Sequence, residues 1–384
     1  MTRTAYYGAR IFDGELWWDR SALVVNGDCI ENIIAADSPT DARRVALNGG
    51  ILAPGFIDLQ VNGGGGALFN LTPDVPTIET ICSAFTRFGT TACLPTLITD
   101  TREKNVAAIA AGEAAATKGV RGFLGLHIEG PHLAISRKGA HDPKLIRPMD
   151  DGDLLALIDA RRRLPNLLTT VAAETVTPEQ IGRLHDAGLV VSIGHSDAPY
   201  AMVKAAADAG ATMVTHLFNA QSQLGNREPG VVGAALDIGS LWAGLIADGI
   251  HVNAASVAVA LRAKRGPAHV FLVTDAMSPT GTDATSFDLA GQTVYRKDGA
   301  LRLADGTLAG ADLTMIDAVK FIHQTVGLPL DETLRMASLY PAEALGVAGD
   351  RGSFAHGLRA DFVHLSDDLA PRLTVIGGET AWSA

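Results

Sequence analysis

The chain has 384 residues, of which 47% are hydrophobic and 19% are charged, a composition that indicates a folded globular protein and excludes a disordered or fibrous one. A typical domain has about 150 residues, so this length predicts one large domain and a smaller one. The formal net charge of −11 argues against general affinity for nucleic acid or acidic lipid, because both require a basic surface.

The cysteines and the N-terminus bear on the cellular compartment. Cys29, Cys82 and Cys93 form no CxxC pair, and this sparse, odd set predicts a reduced, cytoplasmic protein. The first residues lack the apolar core of a signal peptide, and no stretch of about eighteen residues is both apolar and uncharged. We therefore expect neither secretion nor a membrane-spanning segment.

Both ends of the chain show short strand patterns separated by tight turns. Asn26–Gly27 is a hairpin signal near the N-terminus, and Gly377–Gly378 marks a hairpin near the C-terminus. Because domain termini often lie close together, we expect one small β-sandwich domain built from residues 1–53 and 346–384.

The middle of the chain, residues 54–345, alternates short apolar runs with longer helical patterns. The predicted strands cover residues 55–62, 91–99, 123–130, 168–174, 189–195, 212–219, 242–248 and 270–276. Helical patterns separate most of them, at residues 76–88, 101–118, 178–187, 199–209 and 252–264. This alternation predicts a (β/α)8 TIM-type barrel as the catalytic domain. An open doubly wound sheet is the alternative, but no GxGxxG motif follows the first strand.

Polar side chains stand at the carboxyl ends of nearly all eight predicted strands. They are Gln60, Asn62, Glu129, Glu174, His195, His216, Asp248 and Asp275. In a barrel these strand ends meet at one face, where active sites lie. The recurrence of such residues therefore predicts a catalytic mouth, although each residue alone is more often structural.

Two imidazoles and one carboxylate from three strands, His195, His216 and Glu129, form a candidate metal site. This set leaves coordination positions open and suits Zn²⁺ or Fe²⁺. Asp275 is a fourth candidate, but a carboxylate beside metal-bound water serves better as general base. His127 has two readings: it orients Glu129, or it is a hydrogen-bonded histidine of the barrel core.

A series of motifs runs in order along essentially the whole chain. They are PGFIDLQVNGGGG (54–66), LPTLIT (94–99), LHIEGPH (126–132), KGAHD (138–142), SIGHSDA (192–198), THLFNA (215–220), REPG (227–230), ADGIHV (247–252), LVTDAM (272–277), ADLTM (311–315) and GSFAHGLRADFV (352–363). Together they resemble the N-acetylglucosamine-6-phosphate deacetylases of the amidohydrolase superfamily.

The resemblance implies hydrolysis of the acetamide of N-acetyl-D-glucosamine 6-phosphate to D-glucosamine 6-phosphate and acetate, in amino-sugar catabolism. It implies one divalent metal per subunit, Zn²⁺ first, with Fe²⁺ or another divalent ion as alternatives. Glu129, His195 and His216 would hold the metal, Asp275 would activate water, and His141 would polarise the acetamide carbonyl.

The resemblance also implies the substrate contacts. His251 would contact the anomeric hydroxyl, and further lining positions would be Ala140, Asn219, Ala220, Leu313, Thr314 and Met315. Arg227 would bind the phosphate from a neighbouring subunit, which implies a homodimer or a dimer-based oligomer. An arginine suits this role because its planar fork matches phosphate.

Gln60 and Asn62 stand where many superfamily members carry the His-x-His of a two-metal site. Both are poor ligands, and residues 166–178 contain no lysine for a bridging carbamate, so we expect one metal. These features disfavour dihydroorotase- or hydantoinase-like chemistry and the related deaminases and cyclic amidases. A catalytically dead barrel is disfavoured because all proposed ligands are present. The galactosamine epimer of the substrate remains the main alternative.

Overall fold

The computed structural model of the chain describes residues 3–289 and 291–384. The N-terminal part forms short strands. They are β1 (Arg3–Tyr7), β2 (Arg10–Phe12), β3 (Trp17–Trp18), β4 (Ser21–Asn26), β5 (Cys29–Ala35), β6 (Arg43–Ala46) and β7 (Ile51–Pro54).

The middle of the chain alternates strands and helices. The strands are β8 (Phe56–Val61), the short hairpin β9 (Gly63–Gly64) and β10 (Ala67–Leu68), β11 (Thr90–Ile98), β12 (Leu126–Glu129), β13 (Leu167–Val171), β14 (Val190–Ile193), β15 (Met213–Val214), β16 (Trp242–Ile246) and β17 (Val270–Val273). The helices are α1 (Val75–Thr86), α2 (Arg102–Lys118), α3 (Asp151–Arg163), α4 (Pro178–Asp186), α5 (Tyr200–Asp208), α6 (Gly230–Asp237) and α7 (Ala254–Ala263). One turn of 3₁₀ helix covers Ile135–Arg137.

Eight of these strands form the predicted barrel. Their order in the sheet follows the chain, β8-β11-β12-β13-β14-β15-β16-β17, and neighbouring strands are parallel. The first and last strands meet at their carboxyl ends, where Asp275 N–H donates to the Gln60 carbonyl at 2.9 Å and Asn62 N–H donates to the Ala276 carbonyl at 2.9 Å. The prediction of a (β/α)8 barrel is confirmed.

The helices begin where the sequence places capping residues. In α4, Thr177 and Gln180 exchange side-chain and backbone hydrogen bonds ahead of the buried Ile181 and Leu184. The same kind of reciprocal pair, Asp150 with Asp153, starts α3. That pair of aspartates was the signal for this helix.

A small sheet follows the last barrel strand. Its antiparallel strands are β18 (Ser286–Leu289), β19 (Gln292–Lys297), β20 (Ala300–Arg302) and β21 (Leu308–Ala311). We call residues 286–289 and 291–311 the lid sheet. Leu289, Val294 and Leu301 pack with Leu68 and Met277 at the barrel mouth. No helix or strand is predicted for this segment from the patterns described above.

The C-terminal part completes the barrel and returns to the first sheets. It contains α8 (Met315–Lys320), a π-helical turn (Phe321–Val326), α9 (Leu330–Ala337), α10 (Leu339–Leu345), β22 (Phe362–Leu365), β23 (Pro371–Ile376) and β24 (Glu379–Ser383). Within the described residues, no helix combines the length and apolar character needed to cross a membrane.

Strands from both termini form two sheets, in the orders β5-β4-β1-β6 and β24-β23-β22-β7-β2-β3. Residues from both sheets share one apolar cluster, in which the Tyr6 and Phe362 rings lie 4.9 Å apart in an edge-on contact. The expected sheet domain built from both ends of the chain is confirmed. The boundaries at residues 53/54 and 345/346 stay a prediction.

Candidate active site

A cavity of about 490 Å³ opens at the carboxyl ends of the barrel strands and is covered on one side by the lid sheet. The candidate ligands Glu129, His195 and His216 line it together with Asp275. Each of the four follows or ends a different barrel strand. The fold therefore brings together the residues that the sequence placed at strand ends.

Three ligand atoms form a nearly equilateral triangle on the cavity floor. The Nε2 atoms of His195 and His216 are 3.1 Å apart, and they lie 3.2 Å and 3.1 Å from Oε1 of Glu129. Tetrahedral ligands about 2.0–2.1 Å from a zinc ion are separated by about 3.3 Å. The donor set and its spacing thus fit a divalent cation with at least one coordination position open.

The hydrogen bond of His195 favours the tautomer that a ligand needs. Its Nδ1–H donates to the carbonyl of Arg137 at 2.8 Å, which leaves a lone pair on Nε2 facing Glu129 and His216. His216 differs, because its buried Nδ1 has no hydrogen-bond partner within the described part of the chain.

His141 lies beside this triangle with the opposite hydrogen-bond pattern. Its ligand atoms also fall within 4.8 Å of those of Glu129 and His195, so distance alone does not exclude it as a ligand. However, its Nδ1 accepts the backbone N–H of Thr99 at 3.3 Å and lies 2.7 Å from Thr99 Oγ1, an arrangement that favours the tautomer with its proton on Nε2. A histidine in this tautomer donates a hydrogen bond and cannot coordinate through Nε2, so His216 is the better third ligand.

Three of the four residues on the cavity floor have left-handed backbone conformations. The φ angles are +48° at His195, +28° at His216 and +52° at Asp275. Residues other than glycine adopt this region at a cost of about 1–3 kcal/mol, and such strain concentrates at functional sites. The conformation aims each side chain from the end of its strand into the cavity.

Gln60 and Asn62 tether the two carboxylates of the site. Nε2 of Gln60 donates to both oxygens of Glu129 and to Oδ1 of Asp275, each at 3.2 Å. Nδ2 of Asn62 donates to the same Asp275 oxygen at 2.6 Å. The pair that replaces His-x-His therefore supplies hydrogen-bond donors where histidines would supply metal ligands.

Burial and charge set the protonation of these groups. Burial raises the pKa of Glu129, but hydrogen bonds from His195 and His216 outweigh it and hold that pKa well below its ordinary value. Burial, with the negative charge of Glu129, raises the pKa of Asp275 to about 6. Burial lowers the pKa of His141 to about 3, so this imidazole is neutral at pH 7. The site thus holds an ionised carboxylate at Glu129, a carboxylate of raised pKa at Asp275 and a neutral imidazole at His141.

Some of the predicted substrate contacts line the cavity. Ala140, Asn219, Ala220 and His251 do so. His251 is oriented by Asp248, whose Oδ2 accepts the Nδ1–H of His251 at 2.6 Å and whose Oδ1 accepts the backbone N–H groups of Ile250 and His251.

The other predicted contacts lie elsewhere. Arg227 is exposed, outside the cavity of its own chain. The 313–315 segment is not part of the cavity wall: Thr314 caps α8 by accepting from Asp317 N–H, and Met315 is fully buried in the core.

The lid sheet supplies cavity residues that sequence reasoning missed. They are Leu289, Arg302, Gly306, Thr307, Leu308, Ala309 and Gly310. The signal was present in the sequence, because Asp298–Gly299 and Asp305–Gly306 are hairpin dipeptides seven residues apart.

The structure favours the second of the two readings of His127. Its ring nitrogens hydrogen-bond the Leu59 carbonyl and the Thr170 hydroxyl, so His127 is a hydrogen-bonded histidine of the barrel core.

The amidohydrolase family model matches residues 51–381 of the chain. The chain belongs to this family. This amidohydrolase is 42% identical to the N-acetylgalactosamine-6-phosphate deacetylase of Shewanella sp. (strain ANA-3) over 355 residues, which cover 92% of this chain and 89% of that protein. It is 36% identical to the N-acetylglucosamine-6-phosphate deacetylase of Haemophilus influenzae over 371 residues, 93% and 94% of the two chains.

Solved structures show the same relationship. The crystal structure of N-acetylglucosamine-6-phosphate deacetylase from Pasteurella multocida matches this amidohydrolase with a TM-score of 0.95 and 38% sequence identity, over 100% of both chains. The likeness covers the barrel, the lid sheet and the terminal sheets alike.

Proposed function

We propose that this amidohydrolase hydrolyses the acetamide of N-acetyl-D-glucosamine 6-phosphate, yielding D-glucosamine 6-phosphate and acetate. The observation that carries the proposal is the triangle of Glu129, His195 and His216 with Asp275 in the same cavity. The deacetylases among its relatives supply the substrate class. Amino-sugar catabolism in the cytoplasm is part of the proposal, motivated by this substrate and by the sparse cysteines.

A divalent cation held by Glu129, His195 and His216 would supply Lewis acidity, which activates water and polarises the scissile carbonyl. Zn²⁺ is the ion we propose, with Fe²⁺ or another divalent ion as the alternative, because two imidazoles and a carboxylate suit both. One ion per chain follows from Gln60 and Asn62, whose amide groups are committed to Asp275 and Glu129.

Asp275 moves the proton in this reaction. Its carboxylate takes a proton from the attacking water and returns it to the sugar nitrogen, which leaves as an amine. Gln60 and Asn62 both bind Oδ1, so Oδ2 is the atom that remains for proton transfer. The raised pKa of about 6 suits a carboxylate that must both accept and release a proton near neutral pH.

His141 stabilises the charge that develops on the carbonyl oxygen. With Nδ1 accepting from Thr99, its Nε2–H is free to donate to an oxyanion beside the triangle. Because the imidazole is neutral, it donates this hydrogen bond to the oxyanion without adding a positive charge beside the proposed divalent cation.

The rest of the cavity positions the sugar. We propose that His251 binds the anomeric hydroxyl and that Ala140, Asn219 and Ala220 contact the sugar and phosphate. Leu308, Ala309 and Gly310 line the cavity. Leu313, Thr314 and Met315, a few positions further along the chain, stay proposed as substrate contacts.

Arg227 is proposed as a phosphate ligand donated across the interface of a homodimer. Its exposed position outside the cavity of its own chain supports this arrangement. Arg227→Ala should weaken use of the phosphorylated sugar alone, and the same variant should leave the unphosphorylated sugar unaffected.

N-acetylgalactosamine 6-phosphate is the second candidate substrate, favoured by the 42% identity to the Shewanella enzyme. The two candidates differ only in the configuration at C4. A product assay for acetate with both 6-phosphorylated N-acetylhexosamines and their unphosphorylated forms, run alongside metal analysis, tests the proposal and ranks the epimers.

A further inference from the structure

The cavity wall carries two guanidinium groups, and only one of them is paired with a carboxylate. Arg137 is held by Asp197, with Nε and Nη2 at 2.8 Å and 2.7 Å from Oδ1. Arg302, on the lid sheet, has no ion-pair partner among residues 3–289 and 291–384, and its Nη1 donates to the Gly306 carbonyl at 3.0 Å. A guanidinium has five N–H donors in a planar fork, so most of that fork remains available to a ligand.

The backbone beneath Arg302 is fixed on several sides. The preceding residue, Leu301, is fully buried in the apolar cluster between lid and barrel. Arg296 forms an ion pair with Asp312, with Nε 2.5 Å from Oδ2. Ala311 N–H, at the end of the lid sheet, donates to the carbonyl of Asp275 at 2.9 Å. The guanidinium is thus presented from a sheet joined directly to the catalytic segment.

Electrostatics favours an anionic ligand at this position. The cavity floor holds the carboxylates Glu129 and Asp275, and the chain carries a net charge of −11, so an anionic group needs a local cation away from the floor. Arg227 does not reach the cavity of its own chain. We propose that Arg302 binds the 6-phosphate of the substrate from within the same chain, as a second phosphate ligand beside Arg227.

This inference rests on the proposed function, and its test uses Arg302→Gln with the two N-acetylhexosamine epimers, each with and without the 6-phosphate. Loss of a charge-assisted contact should lower kcat/KM for the phosphorylated sugars by about 10-fold to 100-fold. The values for the unphosphorylated sugars should stay within about twofold. Arg302→Lys, which keeps the charge and loses the fork, should fall between the wild type and Arg302→Gln.

Lys297→Gln is the matched control, because Lys297 is an exposed cation of the same sheet that does not line the cavity. It should leave all four substrates unchanged. An equal loss on phosphorylated and unphosphorylated sugars, or no loss at all, would overturn the inference. A loss confined to one epimer regardless of phosphate would overturn it too, and would assign Arg302 to a sugar hydroxyl. Failure of the proposed function is seen separately, as a wild-type enzyme that releases acetate from neither phosphorylated sugar.

Discussion

The position of the Asp275 carboxylate is set by backbone and side-chain contacts. Its left-handed φ of +52° directs the carboxylate into the cavity, and its backbone groups bond both the first barrel strand and the lid sheet. Gln60 and Asn62 fix one of its oxygens. These contacts leave Oδ2 free, which supports the proposed role of Asp275 in proton transfer.

Asp275→Asn separates a role in proton transfer from a role as metal ligand. The amide keeps the shape of the side chain and loses its basicity, so turnover should fall by at least about 10²-fold while metal content and substrate affinity are retained. Metal content, affinity and turnover are measured on one preparation. A parallel loss of metal and activity would make Asp275 a ligand instead, and near-normal turnover with full metal would remove it from the mechanism.

The residues at positions 60 and 62 show what the sequence could and could not predict at this scale. Their poor ligand character is visible from residue type and favours one metal over two in the proposal. Their actual contacts, from amide nitrogens to Glu129 and Asp275, required the three-dimensional closure of the barrel. Likewise, the tautomer of His141 depends on Thr99, forty-two positions earlier in the chain.

At the scale of elements, the lid sheet is attached to the barrel by close backbone approach at Gly310. This residue has a φ of +65°, and a Cβ added there would lie 2.4 Å from Cγ of Met277 and 3.0 Å from the Asp275 carbonyl oxygen. Only glycine permits this approach.

Gly310→Ala should therefore disturb the lid sheet and the Asp275 segment together. We expect a loss of about 1–3 kcal/mol in the free energy of unfolding and a raised KM. Gly291→Ala is the control, since Gly291 lies in the same sheet with a positive φ, +77°, has no atom within 4 Å of an added Cβ and does not line the cavity. Urea unfolding and steady-state kinetics on both variants check this. Equal effects at the two positions would show that backbone strain, rather than the contact with Met277, is responsible.

The lid sheet directly precedes the predicted substrate segment, residues 313–315, in the chain. The sequence motif ADLTM drew attention to residues 313–315, whereas the structure places residues 306–310 at the cavity, a few positions earlier. Thr314 and Met315 serve the start of α8 instead. A motif identifies a region of the chain, but which of its residues face a cavity depends on how the turn before the helix packs.

For the whole molecule, the barrel could be predicted from the sequence because each β-then-α unit repeats the same local pattern, an apolar strand followed by a capped helix. The lid sheet and the pairing of sheets from opposite ends of the chain depend on contacts between distant residues. The two Asp-Gly dipeptides indicate hairpins in the lid sheet, but the position of that sheet over the barrel mouth depends on packing against Leu68 and Met277.

The seam between the first and last barrel strands contains a buried carboxyl group. Asp58 is fully buried, where its Oδ1 accepts the backbone N–H groups of Gln60 and Thr274 at 3.2 Å. Burial raises its pKa from 3.8 to about 7. The folded protein therefore binds this proton more tightly than the unfolded chain does. This stabilising contribution is complete below about pH 4 and is lost as the pH rises through about 7.

Asp58→Asn should remove this pH dependence. Between about pH 5.5 and pH 8, the wild type should lose about 2 kcal/mol more free energy of unfolding than the variant, because one pKa unit corresponds to about 1.4 kcal/mol. Urea unfolding of both proteins at the two pH values, with metal saturating, measures the difference. Identical slopes would mean that Asp58 keeps an ordinary pKa in the folded state.

We propose that the cavity is a one-metal deacetylase site for a 6-phosphorylated N-acetylhexosamine. Its most direct test is to measure acetate and free amino sugar released by the purified enzyme from N-acetyl-D-glucosamine 6-phosphate and its galactosamine epimer, with metal content determined on the same sample. We expect equimolar acetate and hexosamine 6-phosphate from at least one epimer, with one divalent ion per chain. No acetate from either epimer by metal-loaded enzyme, or two stoichiometric metals in active enzyme, would contradict it.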